Sequence, residues 1–166
     1  MKKPVIKPND VHVIVNDWER PDRFVGEATC YDASGKVLWK IDALCKGVHG
    51  PGTHSNGGDT PPGLYKAGQL TKTQKWEGRE TWNAYGEYFL DMVEMENQEV
   101  SRGRAGIGLH GGGTGAKPNS LADYQELRPT LGCVRVRNKH MRDLVVPTYE
   151  RVRKAGGTMW ISVNQH

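Results

Sequence analysis

The sequence has no continuous apolar run of the ~20 residues that a transmembrane helix needs. Its opening, "MKKPVIKPNDVHVIV", has a lysine pair but no apolar stretch, so it does not read as a secretory signal. There are three cysteines, Cys30, Cys45 and Cys133, and none belongs to a CxxC pair. That argues against a structural zinc site built from cysteine. The odd number leaves at least one thiol free or intermolecular. No internal repeat and no low-complexity tract is present, which excludes repeat architectures. Phenylalanine is scarce, with two residues, but five tryptophans and six tyrosines supply aromatic bulk. No helix-turn-helix, zinc-finger or RNA-binding aromatic signature accompanies the net charge of +4, so nucleic acid is not an expected partner.

What is abundant is glycine and proline, 21 and 9 residues. They follow no collagen-like period, so they indicate many tight turns and long loops. The length of 166 residues fits one domain that buries its core without metals or disulfides. Residues 1–10 read as an N-terminal arm and 11–166 as a single domain. The basic residues are scattered, with a loose cluster from Arg128 to Lys154, and would attract a polyanion such as a cell-wall polymer. The sequence leaves the oligomeric state open.

Short β-branched or alternating runs predict strands at "VHVIV" (Val11–Val15), on both sides of the "DASG" turn, and at "LYKAGQLT", "EYFLDMVEM", "AGIGLHG", "GCVRVR" and "TMWISV". "CKGVHGPGTHSNGGDTPPG" is a long loop, "WEGRETWNAYG" is ambiguous and "LADYQEL" is a candidate helical turn. "NKHMRDLVVPTYERVRKAGG" predicts helix, with Asn138 as N-cap and Gly156 as the stop. Pro147 should divide or kink it. About seven strands and little helix predict a mainly β fold, a sandwich or barrel with short helices near the C-terminus.

One stretch carries chemistry: "GLHGGGTGAKPNSLADYQELRPTLGCVRV", residues 108–136. It places His110-Gly111 upstream of Gly132-Cys133. A thiolate attacks carbonyl carbon well, but its pKa of about 8.5 calls for a base or a positive field. A histidine takes that proton and returns it to a leaving amine. Gly132 lets the backbone approach closely, and a sharp Gly-Cys turn presents N–H donors to an oxyanion. In an extended chain Arg135 faces the same way as Cys133, and would add positive charge or bind a carboxylate. The plainer reading makes Cys133 a small buried apolar residue and His110 an ordinary loop histidine.

The order of these elements resembles the L,D-transpeptidase catalytic domain of bacterial cell-wall enzymes. That family has His-Gly, a variable loop, then Ser/Thr-His-Gly-Cys with an apolar residue and Arg or Asn after it. Here His110-Gly111, Thr130 and Gly132-Cys133-Val134-Arg135 take those places. "GKVLWKIDALCKG", "DTPPGLYKAG" and "AGGTMWISV" resemble the family's hairpin, its TPxGxF strand and its closing strand, so the likeness spans about residues 27–163. It implies that Cys133 is the nucleophile and His110 the general base and then acid. His110 would be oriented by a carbonyl near Gly111. N–H groups near Gly132 and Cys133 would form the oxyanion hole, supported by Arg135 and Thr130. The implied substrate is a peptidoglycan stem peptide, cleaved before its terminal D-alanine through a thioester, with no cofactor and no metal. The family acts outside the inner membrane, so the opening residues imply a removed leader, or delivery as a phage-lysis enzyme or an injected antibacterial effector. There are two departures. Leu131 stands where the family has a second histidine, and the loop after His110-Gly111 is longer than usual, which fits a specificity element or lid.

Two rival readings come from other residues. His49, His54 and Asp59 share one loop and offer two histidines and a carboxylate to zinc, as in a zinc peptidase, although without HExxH spacing. Trp76, Trp82 and Tyr85 offer sugar-stacking faces to a non-catalytic peptidoglycan-binding module, or simply core bulk. Cys30 and Cys45 lie on or near the predicted hairpin, as a disulfide or as buried thiols.

Overall fold

A computed structural model describes residues 2–17, 25–48, 58–75, 79–95, 106–113 and 118–165. The strands are β1 (Val11–Asp17), β2 (Gly26–Asp32), β3 (Val37–Leu44), β4 (Gly63–Lys72), β5 (Tyr88–Glu94), β6 (Gly108–His110), β7 (Val134–Val136) and β8 (Met159–Gln165). They close into a barrel in the order β1-β2-β3-β7-β6-β5-β4-β8. Of the sandwich and the barrel expected from the sequence, the barrel forms, with eight strands among the described residues. Closure removes the exposed edges of an open sheet.

The alternation in β1 shows why these residues make strands. Val11, Val13 and Val15 point inward and are buried, while His12, Ile14 and Asn16 between them are half-buried. The parallel pairing of β1 with β8 brings Val13 opposite Ile161 and Val15 opposite Val163, joining the two ends of the chain. These side chains meet Tyr65, Leu90, Leu109, Val134 and Val136 in one core. The β2–β3 hairpin forms as expected. The Asp32 carboxylate accepts the N–H groups of Ser34 (2.9 Å) and Lys36 (3.0 Å), closing the turn.

The "WEGRETWNAYG" segment contains helix α1 (Arg79–Tyr85), and a short 3-10 helix forms at Pro118–Leu121, ahead of the turn expected at "LADYQEL". The C-terminal helix differs from expectation in two ways. Pro147 does not divide it. The chain winds through α2 (Asn138–His140), a π-helical turn (Met141–Val145) and α3 (Val146–Lys154). The wide π turn lies just upstream of Pro147, where a missing N–H and ring bulk would otherwise break regular hydrogen bonding. Asn138 is not the N-cap either. It is the first helical residue, and its amide is used elsewhere, as described below. The stop is as expected. Gly156 N–H bonds to Arg153 O (3.1 Å) and Gly157 N–H to Val152 O (2.9 Å), the paired closure of a Schellman end. Met141, Val145, Tyr149 and Val152 seat the helix on the core. Among the described residues no helix is long and apolar enough to cross a membrane.

Candidate active site

β6 and β7 are only three residues each, but they run side by side in parallel, with His110 opposite Arg135. Cys133 immediately precedes β7. The pairing therefore brings the His110-Gly111 and Gly132-Cys133 segments, more than twenty residues apart in the chain, to the same cleft. The cleft has a volume of about 350 Å³ and is lined by His110, Cys133, Thr130, Gly132 and Arg135. Tyr85, Ile107, Val48 and Leu131 complete its apolar side.

His110 is buried, and its Nδ1 lies 2.7 Å from the carbonyl oxygen of Gly111. A carbonyl only accepts, so Nδ1 carries the proton and donates it. In the neutral ring Nε2 is then the basic nitrogen. Burial and the nearby Arg135 charge push the His110 pKa down to about 3, and the bond to Gly111 opposes this only in part. The ring is therefore neutral at pH 7. Tyr85 meets it edge-on at 4.9 Å between centroids, and Phe89 stacks on it at 5.7 Å. Sequence reading missed this aromatic enclosure because its residues come from α1 and β5. The aromatic pair spaced four apart, Tyr85 and Phe89, was the available signal.

Gly111 has to be glycine for a steric reason. A Cβ there would lie 2.2 Å from Asn138 Oδ1. That same oxygen accepts the Gly112 N–H at 2.8 Å, and Asn138 Nδ2 donates to the carbonyls of Ser120 and Ala122, both at 2.7 Å. Gln125 adds bonds to Gly112 O and Val136 O, each 3.0 Å. The described part of the long loop, from residue 118 on, is thus fastened to the helix start and to the glycine run after His110. Residues 114–117 lie outside the described set.

The turn before Cys133 is organised by Thr130, which is buried. Its hydroxyl accepts the Gly132 N–H (2.9 Å) and donates to the Cys133 carbonyl (2.9 Å). Gly132 has φ +124°, a conformation that L side chains rarely adopt. The Gly132 N–H, expected at the oxyanion site, is therefore already bonded within the turn. The Cys133 thiol donates to Gly106 O at 3.2 Å.

Arg135 is also used differently from the expectation that it binds a substrate carboxylate. It is buried, and its guanidinium donates to five backbone carbonyls. Nε reaches Gly111 O (3.3 Å), Nη1 reaches Arg128 O (2.6 Å) and Pro129 O (3.3 Å), and Nη2 reaches Ala84 O (3.0 Å) and Gly113 O (2.9 Å). These bonds use its full set of donors. Burial lowers its pKa to about 10, so it remains cationic at neutral pH. It ties together the end of α1, the glycine run and the approach to Thr130, and it shares the Gly111 carbonyl with His110.

The residues of the rival readings are scattered. His49, His54 and Trp76 lie outside the described residues. Asp59 is buried; its Oδ1 accepts the Gly47 N–H (2.8 Å) and its Oδ2 lies 3.6 Å from Lys46 Nζ. Among the described residues no group of three or more His, Cys, Asp or Glu is placed to hold a metal ion. Trp82 is half-buried, and Tyr85 lines the cleft against His110. Cys30 and Cys45 are buried free thiols and do not form a disulfide. Burial pushes the Cys30 thiol up to about 12 and raises that of Cys45 as well, which suppresses their reactivity.

This site sits inside a recognised family unit. The family model for the L,D-transpeptidase catalytic domain (YkuD) matches residues 15–149, most of the chain. The chain belongs to the L,D-transpeptidase catalytic-domain family. The match takes in β6, the Thr130 turn, β7 and both His110 and Cys133. Members of the family are typically enzymes, and they act on the peptidoglycan of the cell wall. A comparison with curated proteins finds no match.

Proposed function

We propose that this chain is a cysteine acyltransferase acting on peptidoglycan stem peptides. Cys133 Sγ attacks the carbonyl between the third stem residue, a diamino acid, and the terminal D-alanine. His110 Nε2 takes the thiol proton and passes it to the departing D-alanine amine, leaving a thioester on Cys133. A second stem amine, a free D-amino acid or water then resolves the thioester. The reaction is accordingly a transpeptidation or a carboxypeptidation. The observation that carries this reading is the bond from His110 Nδ1 to Gly111 O, which turns the basic Nε2 of a neutral, buried imidazole toward its remaining surroundings, in the cleft that Cys133 also lines.

In this reading Arg135 is a positioning residue. It holds the Gly111 carbonyl that orients His110, and it contributes positive potential without lending its N–H groups to substrate. Thr130 shapes the turn that presents the thiol. An oxyanion hole at this turn draws on N–H groups other than that of Gly132.

The test is to incubate the protein with a disaccharide-tetrapeptide and a free D-amino acid and to read products by mass spectrometry. Cys133→Ala runs beside it, each with and without chelator. The expected result is loss or exchange of D-alanine, or dimer formation, only when Cys133 is present and regardless of chelator. Activity that survives Cys133→Ala and fails with chelator would move the assignment to a metal site. Absence of any product with binding retained would make the chain a binding module.

A further inference from the structure

The carbonyl that orients His110 belongs to the peptide group between Gly111 and Gly112. A planar peptide group turns only about the bonds on either side of it, here ψ of Gly111 and φ of Gly112. Both residues are glycine, which restricts those bonds least. Gly112 stands at φ +75°. The local chain therefore does little to aim this carbonyl, and the hold on it has to come from outside the glycine run.

Asn138 supplies a hold at the other end of the same group. Its Oδ1 accepts the Gly112 N–H at 2.8 Å, while the Gly111 carbonyl accepts from His110 Nδ1 at 2.7 Å. In a trans peptide the N–H and C=O point in opposite directions, so fixing one fixes the other. A bond accepted from the N–H also polarises the group and makes its carbonyl a better acceptor. The site is built for this oxygen: a Cβ on either Gly86 or Gly111, both buried, would overlap Asn138 Oδ1. Its direction is fixed too. Nδ2 donates to Ser120 O and Ala122 O, both at 2.7 Å, and a reversed amide would set oxygen against two carbonyls and N–H against N–H. The next peptide group is held as well, with Gln125 Nε2 on Gly112 O (3.0 Å) and the Gly113 N–H on Asn83 O (2.8 Å). Arg135 Nε reaches Gly111 O at the longer distance of 3.3 Å and grips only the carbonyl end.

We infer that Asn138 is a positioning residue for the general base, acting through the Gly111–Gly112 peptide group to hold His110 in the tautomer that carries its proton on Nδ1. The hold on the tautomer rests on geometry alone, and its consequence for turnover rests on the acyl-transfer reading above. With the Gly112 N–H released, the plane turns, the Gly111 carbonyl leaves Nδ1, and the ring admits the alternative form with its proton on Nε2. That form cannot take a proton from the Cys133 thiol at Nε2.

The experiment compares the wild type with Asn138→Ser and Asn138→Asp. Serine suits a helix start, so the fold is kept, but its hydroxyl is one bond short of the Gly112 N–H. Aspartate keeps an oxygen for that N–H and loses both donations to the loop. Two-bond proton–nitrogen spectra of histidine-labelled protein at pH 7 distinguish the two tautomers, and the His110 signals are identified by their loss in His110→Gln. The wild type should show the Nδ1–H form. Asn138→Ser should show the Nε2–H form and a kcat lower by about 10–100-fold, with KM changed by less than about threefold. Asn138→Asp should keep the Nδ1–H form and a kcat within about fivefold of the wild type. An unchanged tautomer in Asn138→Ser, or a rise in KM alone, would overturn the inference. So would an equal change in both variants, which would assign the effect to the loop bonds. If Asn138→Ser does not fold, hydrogen exchange in the wild type decides: the Gly112 amide should be protected, and exchange at the rate of an open chain would reject the hold. If the wild type releases no D-alanine from a muropeptide, the acyl-transfer reading fails, while the tautomer comparison still decides whether Asn138 holds the histidine.

Discussion

His110 makes stability depend on pH in a way that a surface histidine would not. In the folded protein its pKa lies at about 3, because burial and the Arg135 charge disfavour the imidazolium. In the unfolded chain it returns to about 6.5. A depressed folded value means that the unfolded state binds the proton first. The stabilising contribution is full above pH 6.5 and is lost as pH falls from there toward 3. Between pH 7 and pH 5 the unfolded chain gains about 0.7 of a proton that the native site refuses. At about 1.4 kcal/mol per unit of pKa, this lowers stability by about 2 kcal/mol. For a chain of this length the midpoint temperature should drop by roughly 4–8 °C from this residue alone. His12 and His140 are also held below their ordinary values by burial and act with the same sign. The measurement is therefore a difference: urea unfolding at both pH values for the wild type and for His110→Gln. The two other histidines cancel, and the variant should lose about 2 kcal/mol less on acidification than the wild type. A difference below about 0.5 kcal/mol would refute the claim that the fold holds His110 neutral.

Three further outcomes follow from the same geometry. Thr130→Val keeps the volume but removes the hydroxyl that accepts the buried Gly132 N–H and donates to the Cys133 carbonyl; it should cost about 1–3 kcal/mol by denaturant unfolding and lower kcat/KM, whereas Thr130→Ser should restore most of both. Gly132→Ala forces a side chain onto φ +124°, and should cost about 1–3 kcal/mol and slow acyl transfer by roughly 10–100-fold, read by muropeptide turnover. The acid limb of kcat/KM against pH should lie well below 6.5, because His110 stays unprotonated there; a limb at 6.5 or above would contradict the buried neutral ring.

Strands with strict alternation were legible. Val11, Val13 and Val15 announce an inward face, and the Asp32–Lys36 turn announces a hairpin, because both signals are local. The approach of His110 and Cys133 was legible from motif order. The choice of barrel over sandwich was not, since it depends on β1 meeting β8 across almost the whole chain. Asn138 shows why a local rule fails. Its side chain looks like a cap, but the same amide satisfies Gly112, Ser120 and Ala122, and a loop with several backbone groups to pair outcompetes one helix N–H. Arg135 teaches the same point about charge. The sequence shows a cation two residues after a thiol, but only the fold shows that five carbonyls already claim its donors.

The low pKa of His110 constrains how the proposed nucleophile is activated. A preformed thiolate–imidazolium pair needs a histidine that protonates readily near neutral pH. Here the ring is dehydrated, enclosed by Tyr85 and Phe89, and faces the Arg135 charge. The thiol at rest donates to Gly106 O, as a neutral S–H does. Both partners therefore begin uncharged, and the proton moves only as sulfur bonds to the substrate carbonyl. Charge then builds on an oxyanion and an imidazolium together, and each offsets the other in a cleft of low polarity. The bond from His110 Nδ1 to Gly111 O strengthens as the ring becomes cationic. Arg135 opposes that cation, but it also fixes the carbonyl that stabilises it. An Arg135→Lys exchange, which keeps the charge and loses the planar fork, separates these two effects: it should loosen the histidine while leaving the local potential in place.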